Sequence, residues 1–148
     1  MKENTIIVVA TDEEYDLAVA RFKNHKIIQT GIGGLNVIKT LRNLPKDTPI
    51  LNFGYVGSNN IEIGSEVKIN KVKLYHPNVT YDEPQYNLID GDTSCYTSND
   101  FVLSTDIKEL VVFDMELAYI MALGFHDVQS IKIVSDNLNL NEYEKNIK

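Results

Sequence analysis

Thr5-Ile6-Ile7-Val8-Val9-Ala10-Thr11-Asp12-Glu13-Glu14 is the stretch on which the fold class turns. Residues 6–10 form a continuous apolar run, the pattern of a strand covered on both faces, and acids follow at once. Residues 13–22 then place Tyr15, Ala18 and Phe22 on one helical stripe. Strand followed by helix is the unit that recurs. Residues 26–30 read as a second strand. Residues 35–44 carry Val37, Leu41 and Leu44 at helical spacing until Pro45 ends the run. Residues 50–54 are a third strand. Residues 66–75 read as a longer one, with Val67, Ile69, Val72 and Leu74 alternating imperfectly. In the last third, 111–113 is a strand, 115–123 a helix apolar almost all round and therefore buried, and 131–134 another strand. This alternation predicts an α/β, single-domain, three-layer fold over residues 1–148, with a central mixed, mostly parallel sheet. The middle, 77–92, is the least readable part, and the region 77–101 is expected to add antiparallel strands. The polar tail from Asn137 onward is expected to be loosely held.

The chain has 148 residues, 43% of them hydrophobic, enough for one core and too few for two domains. Acids outnumber bases, 21 to 14, for a net charge of -7. Such a surface repels a nucleic-acid backbone or an anionic membrane, so neither is expected as a partner, while a small polar ligand is compatible. Cys95 is the single cysteine, which excludes an intrachain disulfide and a cysteine-rich zinc site. The first apolar run is too short for a signal peptide or a membrane span, and a cytoplasmic location is expected.

In open α/β sheets the ligand crevice lies beyond the carboxyl ends of the strands. Asp12, Glu13 and Glu14 follow the first strand, Asp114 and Glu116 the strand at 111–113, and Ser135 and Asp136 the last. Two glycine-rich turns are expected at the same edge, Gly31-Ile32-Gly33-Gly34 and Gly54-Tyr55-Val56-Gly57-Ser58. The acids also have a structural explanation, since carboxylates at a helix start complement its dipole and Asp136 fits a turn or a cap. Glu116 resists that explanation, because an isolated carboxylate in an apolar run is costly unless partnered or used. The turn at Gly31 lacks the third glycine of a dinucleotide fingerprint, which falls on Asn36. His25, His76 and His126 are single and give no metal-ligand pair.

Taken in order, these segments resemble the nucleoside phosphorylase superfamily, most closely its 5′-methylthioadenosine/S-adenosylhomocysteine nucleosidase branch, in a shortened form. The residues that carry the resemblance are Ala10-Thr11-Asp12-Glu13-Glu14, Thr30-Gly31-Ile32-Gly33-Gly34-Leu35-Asn36, Leu51-Asn52-Phe53-Gly54-Tyr55-Val56-Gly57-Ser58 followed by Ile63-Gly64-Ser65-Glu66-Val67, Ser98-Asn99-Asp100-Phe101-Val102, Phe113-Asp114-Met115-Glu116 and Val134-Ser135-Asp136. The resemblance implies catalytic roles for Glu14 on the attacking water, Glu116 on the ribose hydroxyls and Asp136 as proton donor to the purine. Ser135 would assist Asp136, Met115 would face the sugar, and Phe101 and Val102 would flank the base. Gly33, Gly54 and Tyr55 complete the substrate-binding set. Lys132 falls where the family often has an arginine near the water-activating Glu, and is expected to keep Glu14 ionised. The implied ligand is a purine nucleoside, no metal or organic cofactor is called for, and a homodimer is the expected assembly.

The sequence departs from the family in length, in the missing hairpin after Phe22, in the closing helix, missing or reduced to residues 141–148, and at Tyr55, where a small hydroxyl residue is common. Phosphorolysis recruits arginine to clamp phosphate, and the chain has only Arg21 and Arg42, both in predicted helices away from the strand ends. Hydrolysis is therefore expected. A phosphate-dependent phosphorylase and a non-catalytic nucleoside-binding module are the alternatives.

Overall fold

A computed structural model describes residues 1–77 and 83–147. The elements in chain order are β1 (Ile6–Val9), α1 (Asp12–Arg21), β2 (Ile27–Gln29), α2 (Gly34–Leu41), β3 (Ile50–Ser58), β4 (Glu66–Leu74), β5 (Tyr86–Asn87), β6 (Thr93–Thr97), β7 (Val111–Asp114), α3 (Leu117–Ala122), β8 (Val128–Asp136) and α4 (Leu140–Asn146). The expected mixed α/β fold is present.

The sheet is organised by β3. One of its edges pairs in parallel with β8 along Ile50 to Gly57. The other is shared, β1 taking Ile50 to Asn52 in parallel and β7 taking Gly57 and Ser58 antiparallel. From β8 the pairing passes antiparallel to β4, then parallel to β6 and to β7. The circuit returns to β3, so five of the strands close a ring while β1 and β2 extend from it. Closure hides the polar strand edges that an open sheet would expose.

Alternation along the strands separates two apolar clusters. Ile7, Val9, Leu51 and Phe53 pack with Ala18 of α1 on one side. Ile6, Val8, Ile50 and Val56 face the other way, into the larger cluster with Val37 and Leu41 of α2 and Leu117 and Ile120 of α3. This is the period of two that strand geometry imposes, and it explains why β1 is apolar throughout.

Several expectations need correction. The stretch from Gly54 to Ser58 is strand, not turn. Its glycines fit because neighbouring carboxylates occupy the space a side chain would fill. The 77–101 region supplies β5, which is antiparallel to β4 as expected, but β6 is parallel to both its neighbours; part of this region, 78–82, lies outside the described residues. The tail is not loose: α4 is capped by Asn139, whose side chain accepts from Glu142 N at 3.0 Å, and Asn146 Nδ2 donates to Ser135 O at 3.1 Å. Among the described residues no helix is long and apolar enough to cross a membrane.

Candidate active site

The carboxyl ends of β1, β3, β7 and β8 meet around a cavity of about 240 Å³. Glu14, Tyr55, Phe101, Val102, Met115, Glu116 and Asp136 all line it. Gly33, Gly54 and Ser135 are not lining residues; each stands behind one of the carboxylates.

Glu14 is the N3 residue of α1 and closes a capping box with Thr11. Its Oε1 accepts from Ala10 N at 2.8 Å and Thr11 N at 3.1 Å, and its Oε2 from Tyr55 N at 2.8 Å. A Cβ on Gly54 would overlap this carboxylate, which explains the glycine in the middle of β3. Three backbone donors therefore fix an acid buried at the end of β1. Lys132 forms an ion pair with Asp114, Nζ to Oδ2 at 3.7 Å, with both side chains buried.

Glu116 precedes α3 and reaches across to α2, where its Oε2 accepts from Gly33 N at 2.8 Å. Burial first, then the negative charge of Asp114, push the Glu116 carboxyl up to about 8. The Gly33 N–H and the Lys132 cation pull the other way. The balance favours the protonated form of Glu116 relative to a solvent-exposed carboxyl.

Asp136 ends β8 just after an irregularity: Val56 faces Val134, while Gly57 faces Asp136, leaving Ser135 as the extra residue of a bulge. Bulges re-aim side chains, and here Ser135 and Asp136 are both buried. Asp136 Oδ1 accepts from Ser135 Oγ at 2.8 Å and Oδ2 from Leu138 N at 2.9 Å. A Cβ on Gly57 would stand 2.8 Å from that Oδ2. Burial raises the Asp136 carboxyl above its ordinary value, opposed by the Ser135 hydroxyl and the amides of Leu138 and Asn139.

Sequence reasoning missed Asp100, Leu138 and Tyr143 as lining residues. Leu138 sits at a φ of 64°, a conformation uncommon for a branched residue, and no local motif marks it. Tyr143 projects from α4 against Phe101, ring centroids 5.4 Å apart and nearly edge-on. Burial, followed by the charges of Glu14, Glu13, Asp136 and Glu116, pushes its phenol up to about 12. The reduced closing helix thus still covers the pocket. Tyr55 is raised in the same sense by burial and by Glu14 and Glu13. Among the described residues none that lines the cavity is a lysine, arginine or histidine. Arg21 is engaged elsewhere, bidentate on Glu66 of β4, and Arg42 caps the end of α2.

In sequence the chain matches no family model and no curated protein. In structure it is similar to the 5′-methylthioadenosine/S-adenosyl homocysteine nucleosidase of Helicobacter pylori, at 13% identity and TM-score 0.79 over 99% of this chain and 92% of that one. It is similar to the MTAN of Chlamydia trachomatis bound to MTA, at 16% identity and TM-score 0.79 over 97% of this chain and 88% of that one. The futalosine hydrolase of Helicobacter pylori matches at 14% identity and TM-score 0.77, over 97% and 90% of the two chains. The chain shares the fold of these nucleoside-cleaving enzymes.

Proposed function

We propose that this chain is a purine nucleosidase that hydrolyses the N-glycosidic bond of a (5′-thio)adenosine-type nucleoside. The observation that carries the reading is the convergence of Glu14, Glu116 and Asp136, from three separate strand ends, on one cavity lined also by Phe101, Val102 and Met115. The fold shared with MTAN bound to MTA supports the same ligand class.

Breaking a C1′–N9 bond builds positive charge on the sugar and negative charge on the departing base. The site must therefore supply a proton on one side and anionic character on the other. Asp136, whose carboxyl burial raises, is the donor to the purine, with Ser135 holding its second oxygen. Glu116 holds the ribose hydroxyls, and once ionised it faces the sugar with a carboxylate. Glu14, fixed by its three amides, orients the attacking water. Met115 packs on the sugar, and Phe101 with Val102 flanks the base.

Water is favoured over phosphate on electrostatic grounds. A phosphate entering this pocket would meet Glu14, Glu116 and Asp136 with no arginine or lysine among the described lining residues to offset them. Lys132, buried nearby, is paired with Asp114. A single domain spanning residues 1–148, cytoplasmic and free of resident metal or organic cofactor, completes the proposal. Ile32, which lines the cavity, is 52% exposed and Leu35 beside it 73%, which supports a homodimer formed near the mouth.

The test is purine release from methylthioadenosine, adenosine and inosine, with and without phosphate, followed by chromatography. Phosphate-independent release of the free base is expected. Release that requires phosphate would make the chain a phosphorylase, and calorimetric binding without turnover would make it a nucleoside-binding module.

A further inference from the structure

Asp114 is the most heavily engaged carboxylate at the site. It ends β7 and is buried. Its Oδ2 accepts from Glu116 N at 3.1 Å and from Leu117 N at 2.6 Å, so it caps α3 from two residues before the helix's own N-cap. Its Oδ1 accepts from Thr97 Oγ1 at 2.5 Å and from the Cys95 thiol at 3.5 Å, both on β6. Thr97 Oγ1 in turn accepts from Ala118 N at 2.9 Å, tying a second amide of α3 to the same cluster. Lys132 approaches from β8. A side chain held from β6, β8 and α3 has little freedom, and the turn it grips is the one that carries Met115 and Glu116.

We propose that Asp114 is a positioning residue: anchored by Thr97, Cys95 and Lys132, it fixes the turn that carries Glu116 and governs the charge Glu116 presents to the ribose hydroxyls. The ribose contact rests on the nucleosidase reading; the coupling between the two carboxylates does not.

The charged and titratable groups facing Glu116 are Asp114 from β7, Lys132 from β8, Glu14 from α1 and Tyr143 from α4. Asp114 and Lys132 act on it with opposite signs. With both present they partly offset each other, and burial dominates. Replacing Asp114 by a neutral isostere removes the repulsion and leaves the Lys132 cation uncompensated, so Glu116 should ionise more readily. Replacing Lys132 by a neutral chain of similar length leaves the repulsion and removes the attraction, so Glu116 should hold its proton more tightly. Opposite displacements from two neighbouring buried positions are not what general loosening of the structure would produce.

The experiment is a pH titration of the Glu116 carboxyl carbon by NMR in the ligand-free protein, with Glu116→Gln assigning the signal. Asp114→Asn should lower the midpoint by about one pH unit or more, a tenfold change in proton affinity. Lys132→Met should raise it. The companion readout is the ratio of kcat/KM for adenosine over 2′-deoxyadenosine, which should fall about tenfold in Asp114→Asn because the diol partner is no longer held in place. An unmoved midpoint in a folded Asp114→Asn protein would overturn the proposal. Should that variant fail to fold, Thr97→Val, which removes the hydroxyl that anchors Asp114 Oδ1 and accepts from Ala118 N, decides: a displaced Glu116 midpoint supports the proposal and an unmoved one rejects it. If no nucleoside is cleaved by the unmodified protein, the nucleosidase reading and its ribose contact fall, while the NMR midpoints still decide whether Asp114 governs Glu116.

Discussion

Glu116→Gln should change how stability depends on pH, and the sign follows from where the carboxyl titrates. Unfolded, it ionises near its ordinary value of 4.5; folded, burial and the charge of Asp114 hold it to about 8. Between those values the folded chain keeps a proton that the unfolded chain has released, so unfolding releases it and raising the pH favours unfolding. The contribution to stability is therefore full below about 4.5, falls across the window and levels off above about 8. The gap between the two values is worth at most ~5 kcal/mol; relaxation and water entry around an ionising buried group reduce that to about 2–4 kcal/mol. Glutamine does not titrate, and its carbonyl can still accept from Gly33 N. Urea midpoints measured from about pH 5 to about pH 9 for both proteins give a difference curve free of the other titrating groups, Asp136 among them. The variant should gain on the parent protein by about 2–4 kcal/mol across that window. Parallel curves would show that Glu116 does not hold its proton to about 8 and that its burial beside Asp114 is wrongly described.

Three further substitutions probe the rest of the site. Gly54→Ala puts a methyl where the Glu14 carboxylate lies, so it should displace Glu14 from Tyr55 N and lower stability by about 2–4 kcal/mol through overpacking and a lost charge-assisted bond. A chemical denaturation midpoint within error of the parent would contradict that placement. Asp136→Asn retains an acceptor for Leu138 N but cannot release a proton, and base release should slow by ~10²–10⁴-fold with melting temperature little changed. Tyr143→Ala removes an edge-on ring pair worth about 0.5–1.5 kcal/mol and uncovers the pocket, whereas Tyr143→Phe keeps the pair. KM for methylthioadenosine should rise in the first variant and stay near the parent value in the second, and equal effects would move the role from the ring to the hydroxyl.

The elements legible in the sequence are those whose burial is carried by apolar side chains. β1, apolar on both faces, and α1, starting at the acids that follow, are such cases. β6 was illegible because its buried positions are Cys95 and Thr97, whose polar atoms are satisfied by an acid nineteen and seventeen residues away. The early part of β8 was hidden in the same way: Ser130 donates to Asn52 at 2.9 Å across the β3–β8 pair, so two polar residues that argue against a strand singly support one together. Gly54 and Gly57 read as turn residues because local propensity sees only the missing side chain. The space they leave is filled by Glu14 and Asp136, from 40 positions upstream and 79 downstream.

The same partners bear on the choice between structural and functional readings of an acid. Sequence reasoning set the two against each other, a helix-start acid being either a cap or a site residue. In the structure Glu14 caps α1 and also lines the cavity, because the capping box that satisfies the first amides of α1 brings its second oxygen to Tyr55 N at the cavity wall. Asp114 caps α3, and the amide it binds most tightly belongs to the residue after Glu116. Asp136 closes the turn before α4 through Leu138 N and faces the cavity beside it. Backbone amides at element ends are donors able to hold a carboxylate in fixed orientation without a neutralising cation, as they hold Glu14, and none of the described residues on this lining is a lysine or arginine. An acidic site at the carboxyl edge of a sheet is therefore built most readily from residues that also cap its helices.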